Sequence, residues 1–477
     1  MNESLAKHSY IIIGALFVSS IFNYLYQVLM GNMLTKPEYG ILGVSLSVFY
    51  ISAILTQNTF SQPAARLISS DPSNAGIYFR TALGGNLLIG FLVSISLIYF
   101  ALNSAVYFVP ILVISISLIA TSIGNSLASL FRGFKKFENI ALANILNTTS
   151  KLLAAVILVS LGFGVLGAIS SLLISLIIMI AYLLFSTKVI KTEKSKGWSF
   201  NMVVETIPVS LVFLSIAFLI NGSIILFRYL GADDLITGSF NAALTIARGT
   251  FFFAGALVTV TFPYLASDSS KEYFSFQSLK YVFLFVFPVC LSMASNPEMW
   301  LNLFFSSKYH EASSTLIYLS LAVGFISVVQ VIASNLVAME RFRIPSLTLF
   351  VFSVMFGISA FMRVLEIEKL LLIYSFVIFA VLVLYYIKKF YFRLSVSYLS
   401  RIILSYISLC TAAFYMPSGS RLISLVGMLI TFSTYFVLIS VFRLFDEKDA
   451  YFLMSPFPER VRNISLSVVK KLNSLLI

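Results

Sequence analysis

Charge is scarce in this sequence: 11% of the residues are Asp, Glu, Lys or Arg and 59% are hydrophobic, whereas a soluble domain carries roughly one quarter charged residues. A soluble chain of 477 residues could not hide that much apolar surface from water. Histidine is nearly missing as well. His8 and His310 both stand near the ends of apolar runs, which argues against a histidine-based metal site or catalytic triad. The two cysteines, Cys290 and Cys410, lie inside apolar runs, so no structural disulfide is expected. Long polar loops are absent too. No external loop exceeds about ten residues, which disfavours a glycan polymerase or ligase that must hold its substrate outside the membrane. No cofactor, metal site or catalytic residue is expected.

What is present is a succession of apolar runs of the length that crosses a hydrocarbon layer, about 20 residues each. They are too long for barrel strands and lack alternation, so helices are the spanning structure. The expected fold class is all-α, a polytopic membrane protein of about 14 transmembrane helices. The spans fall near 11–31, 41–60, 83–104, 109–131, 141–162, 165–187, 206–229, 237–265, 281–303, 313–338, 346–362, 370–387, 402–416 and 422–441. The first run has no small-residue cleavage site and reads as a retained span.

The net charge of +13 is a matter of topology rather than of nucleic-acid binding. Eighteen basic residues before the tail fall on the side of the N-terminus, and six on the other side. By the positive-inside rule both termini are cytoplasmic in the cell membrane, as an even number of spans requires.

The four lysines between Lys188 and Phe200 mark a hinge between halves. Leu34, Gly40 and Pro63 in the first half are matched by Leu230, Gly238 and Pro263 in the second, with Gly-to-Pro separations of 23 and 25 residues. The expected organisation is two pseudo-symmetric six-helix lobes, 1–187 and 205–390, joined by a cytoplasmic linker at 188–204. Two extra helices at 391–442 follow, then a basic tail at 443–477. The tail pattern suits either a helix lying on the membrane surface or a solvated segment.

Two of the 32 basic residues fall at mid-span, Lys151 and Arg248, roughly 15 Å or more deep in a layer of about 30 Å. None of the 19 acidic residues lies clearly within a span. A buried charge without a partner costs several kcal/mol, so such cations face water or an anion. The bland alternative is a bond to backbone carbonyls at a helix break. Asn144, Asn147 and Thr148 precede Lys151 at helical spacing, and Asn241 and Thr245 precede Arg248. Further polar stripes contain Asn23 and Gln27 in the first run and Gln330 in the tenth. The simplest arrangement turns these faces toward one water-filled cavity between the halves, although polar groups in membrane helices also serve packing. The adjacent Asp233 and Asp234 read as a helix cap before the eighth span, with an acidic metal pair as the weaker alternative.

Several segments resemble the polysaccharide transporters of the O-antigen flippase type. They are Met33-Leu34-Thr35-Lys36-Pro37-Glu38-Tyr39-Gly40, Phe131-Arg132-Gly133-Phe134-Lys135-Lys136-Phe137, and Leu161-Gly162-Phe163-Gly164-Val165-Leu166-Gly167-Ala168. In the second half, Phe262-Pro263 and Pro297 to Ala312, with Trp300, Phe304, Lys308 and Tyr309, look similar again. That family shares its superfamily with lipid II flippases and multidrug and toxin extruders. The resemblance implies translocation of an isoprenoid diphosphate-linked oligosaccharide from the cytoplasmic to the outer leaflet by alternating access. Arg248 and Lys151 are then the candidates for the diphosphate, membrane lipids are the surroundings, and glycosyltransferases of the same pathway are the expected partners, with no nucleic acid. A cation-coupled extruder is the alternative, disfavoured because it generally uses a membrane-embedded carboxylate.

Overall fold

The structure is a computed structural model that describes residues 3–102, 104–187, 197–199, 207–266, 271–390, 396–445 and 449. Among these the regular elements are all helical. The α-helices are α1 (Glu3–Met33), α2 (Lys36–Thr56), α3 (Gln62–Ser70), α4 (Ala75–Ala101), α5 (Ala105–Gly133), α6 (Phe137–Leu158) and α7 (Gly164–Ser186). They continue with α8 (Ile207–Tyr229), α9 (Asp234–Ala266), α10 (Lys271–Tyr281), α11 (Phe287–Ser295), α12 (Pro297–Phe305) and α13 (Ser313–Ala338). The last four are α14 (Arg343–Phe361), α15 (Ile367–Phe390), α16 (Val396–Tyr415) and α17 (Arg421–Val441).

Among the described residues, 12 helical stretches are long and apolar enough to cross a membrane. One of them, Phe137–Ser186, is 50 residues long and breaks at Gly162 and Gly164, whose φ angles of 89° and 50° are left-handed. There α6 and α7 fold back on one another, with Gly167 of α7 against Leu158 of α6. That stretch therefore supplies two spans. With α1, 31 residues long, the number reaches the expected fourteen.

The second span departs from its expected limits. The helix does not stop near residue 60 at Pro63 but runs from Lys36 to Ser70. Proline lacks the N–H that its preceding turn would bind, and the chain absorbs this with a π-helical turn at Gln57–Ser61 that ends just before Pro63. The same device recurs at Val282–Val286, just before Pro288 of α11. At its start α2 carries a complete capping box. Thr35 accepts from the Glu38 amide, and the Glu38 carboxylate accepts from the Thr35 amide at 3.0 Å. Between α3 and α4 the Asp71 carboxyl is held below the usual carboxylate range, first by the Ser73 hydroxyl and then by the Asn74 amide.

The chain divides into two compact units. The larger comprises Gly14–Asn241 with Glu340–Tyr374, and the smaller comprises Met1–Ile13, Ala242–Met339 and Ser375–Ile477. In the larger unit the long second span is the enclosed centre, with 67% of its most apolar stretch buried. In the smaller the stretch Ser307–Ala338, which contains α13, plays that part with 72%. By contrast only 17% of the apolar stretch of α16 is buried, so that helix offers most of its surface to lipid.

Each unit has its own polar staple. In the larger, the Asn86 amide of α4 donates to Ser61 Oγ at 2.7 Å and to Ser126 Oγ of α5 at 2.8 Å. In the smaller, the Asn335 amide of α13 donates to Ser278 Oγ of α10 at 2.7 Å and to the Tyr386 hydroxyl of α15 at 3.0 Å. There too Lys280 pairs with Asp449 at 2.6 Å, which ties the chain beyond α17 to α10. Gly197–Ser199 returns to α4, where Trp198 covers Gly84 and the Ser199 amide donates to Thr81 Oγ1 at 3.0 Å. The rest of the expected 188–204 linker lies outside the described residues, as does the tail apart from its first three residues and Asp449.

The break between α6 and α7 gives a direct expectation. Gly162 has open space where a Cβ would stand, so Gly162→Ala tests backbone strain alone and is expected to cost about 1–2 kcal/mol. Gly14→Ala, in a helix interior with equally open surroundings, loses nothing. Thermal unfolding of the two purified variants in detergent checks the contrast.

Candidate functional site

Lys151 lies on α6, 5% exposed, in the middle of its span. Its ammonium donates to Asn23 Oδ1 of α1. It also stands 4.7 Å from the centre of the Tyr26 ring, one turn further along the same helix. The Tyr26 hydroxyl in turn donates to the Ala168 carbonyl of α7 at 2.8 Å, which fixes the ring between three helices. Lys151 is thus held by an amide oxygen and an aromatic face, and no ion pair with a carboxylate forms among the described residues. Neutral dipoles and a ring quadrupole offset only part of the cost of burying the charge, the ring contributing about 2 kcal/mol when water is excluded.

The other expected residues of the larger unit spread around this group. Asn147 does not point to α1; its amide reaches Met179 Sδ of α7 at 3.6 Å. Thr148 returns its hydroxyl to the Asn144 carbonyl at 3.0 Å and so is satisfied within its own helix. Gln27 is partly buried on α1, with a side-chain oxygen that takes no protein hydrogen bond. Asn241 is fully buried in the second turn of α9, where its side chain covers Gly43 and donates to the Tyr39 carbonyl of α2 at 2.9 Å. The structure therefore brings Lys151 and Asn23 together and places Asn241 against α2.

Arg248, Thr245 and Gln330 belong to the smaller unit. Arg248 is partly exposed on α9, one turn beyond the buried Thr245. Gly255 stands seven residues further on the same face, and Gln330 of α13 lies beside it, with Nε2 3.6 Å from where a Cβ would stand. Arg248 and Gln330 are thus two turns apart along one side of α9.

Sequence reading missed Tyr26. A tyrosine in an apolar run carries no signal until the structure sets a buried amine over its ring. It also merged two acids that do different work. Asp233 is a helix cap, accepting from the Ile236 amide at 2.7 Å, whereas Asp234 pairs with Arg228 at 2.6 Å.

Residues 5–268, more than half of the chain, match the family model described as polysaccharide biosynthesis protein. The chain belongs to that family. No protein with a curated description matches it. Among solved structures this family member resembles the lipid II flippase MurJ in an inward closed conformation, at 15% identity and a TM-score of 0.69, covering 90% of this chain and 98% of that one. It also resembles an inward-facing multidrug resistance MATE transporter of the MOP superfamily, at 16% identity and a TM-score of 0.57, covering 80% of this chain and 98% of that one. A MATE protein in complex with MaL6 is similar at 14% identity and a TM-score of 0.60, covering 81% and 96%. At these identities the likeness is one of fold, and it fixes this family member as a multi-pass α-helical membrane protein of the architecture shared by that flippase and those transporters.

The Lys151 group makes a thermodynamic prediction. Asn23→Leu leaves the ammonium with the ring alone and is expected to lower stability by about 3 kcal/mol, whereas Lys151→Met in the same background restores most of it. A double-mutant cycle on detergent-solubilised protein checks this; additive losses would show that the two side chains are not coupled.

Proposed function

We propose that this chain is a flippase that carries an isoprenoid diphosphate-linked oligosaccharide from the cytoplasmic to the outer leaflet of the cell membrane. The observation that carries the reading is Lys151, a cation at mid-membrane whose partners, Asn23 and Tyr26, are both neutral. A site of this kind retains a net positive field, and a phosphate-bearing headgroup is the cargo that such a field holds. Arg248 supplies the second cation, and Asn144, Asn147, Asn241, Thr245, Gln27 and Gln330 supply neutral donors and acceptors for sugar hydroxyls. The family membership and the likeness in fold to a lipid II flippase support the same reading.

In this scheme the basic loops and both termini face the cytoplasm. The lobes 1–187 and 205–390 rock about the cargo, and the extra helices at 391–442 stand outside them. Two turns support the repeat: Lys135 and Glu340, at the turns that follow α5 and α13, both take left-handed φ angles, 57° and 59°. The headgroup enters the cavity while the lipid tail stays in the bilayer. An inside-negative potential then favours outward movement of each negative charge by about 2.3 kcal/mol per 100 mV. No chemical step is required of the chain, and glycosyltransferases of the same pathway supply the cargo.

The test is genetic and direct. In cells lacking the native gene, Arg248→Ala is expected to cut the appearance of lipid-linked sugar in the outer leaflet at least tenfold, and Arg248→Lys to retain part of it. Accumulation of the sugar on the cytoplasmic face accompanies the loss. Full transport by the Ala variant would remove Arg248 from the site.

A further inference from the structure

At one end of the larger unit the first turns of α2 and α9 meet backbone to backbone. A Cβ on Gly238 would overlap the Lys36 carbonyl, and a Cβ on Gly40 would overlap the Asp234 carbonyl and stand 2.8 Å from the Gly238 amide nitrogen. The contact is reciprocal: each glycine lies on the first turn of the other's helix, and only the missing side chains let the helices touch. One turn deeper, Asn241 fills the hollow over Gly43 and donates to the Tyr39 carbonyl, so the junction is closed by packing and by a hydrogen bond.

A polar cluster backs this contact. Asp234 accepts from Arg228 Nε of α8 and from the Tyr107 hydroxyl of α5, both at 2.6 Å. Arg228 also donates to the Ala232 carbonyl at 2.9 Å, and its guanidinium lies 5.5 Å from the centre of the Tyr107 ring. Two helices that cross through glycines part without side chains to disentangle. Two partly exposed side chains that donate to one partly exposed carboxylate add hold without permanence, because water can replace each bond.

We infer that this junction is a latch that seals the outer end of the larger unit, in which Gly40 and Gly238 form the seat and the Arg228–Asp234–Tyr107 cluster the fastening. It rests on the alternating-access reading above, since a latch matters only if that end opens. Cargo release requires the first turns of α2 and α9 to separate, and Asn241 is the first buried group uncovered when they do.

The experiment reads access rather than cargo. In full-length protein with Cys290→Ser and Cys410→Ser, cysteine is placed at Asn241 or, as a buried control, at Ser175 of α7, and labelled in intact cells with a membrane-impermeant maleimide. With the latch intact both positions are protected. Arg228→Ala, and more strongly Gly238→Val, is expected to raise labelling at position 241 several-fold while position 175 stays protected. Equal protection of position 241 in both variants, or labelling of both positions together, overturns the latch. Because no cargo is used, this outcome is independent of the Arg248 transport test. Transport lost in Arg248→Ala with no change at position 241 would leave the flippase reading standing without this latch.

Discussion

Hydrocarbon offers no hydrogen bonds, and this single constraint shapes the chain at every level. Backbone groups are satisfied inside helices, which is why the described elements contain no strand. Hydroxyls are satisfied in the same way. Ser117, Thr121, Ser122 and Ser126 on α5 each donate to the carbonyl one turn back, at 2.8 to 2.9 Å. Where proline removes a backbone donor, the helix widens into a π turn rather than ending, at both Pro63 and Pro288. The same scarcity gives weight to the groups that neighbouring backbone cannot satisfy, above all the Lys151 ammonium.

That amine ties sequence to fold and fold to function. It stands 128 residues from Asn23, yet the two share a hydrogen bond because α1, α6 and α7 pack around the Tyr26 ring. A positive group enclosed by neutral partners costs the fold stability that methionine in its place would not. The proposed transport activity gives that cost a purpose.

Much of the fold was legible in the sequence because the signal is local. Each apolar run reports its own crossing, and fourteen spans follow from counting them. Gly162 and Gly164 were visible as a motif, and the structure assigns them the reversal between α6 and α7. Pro63 misled, because a proline looks like a helix end until the preceding turn is seen to absorb it. The mid-span cations were also legible, since charge stands out against an apolar background. Their surroundings were not: Tyr26, Gly43 and Ser61 are unremarkable letters until residues far away in sequence come to rest on them. Gly40 and Gly238 stand out in the sequence as a matched pair, but nothing in the sequence says that they lie against each other's helices.

The two kinds of polar contact inside the units have different mechanical consequences. A serine that bonds to its own helix keeps that bond however the helix turns, so faces rich in such serines slide or rotate past a neighbour at little cost in hydrogen bonding. An asparagine such as Asn86 or Asn335, whose amide reaches neighbouring helices, loses its bonds as soon as those helices shift. The placement of one residue type against the other thus marks which helices travel as blocks and which surfaces act as bearings.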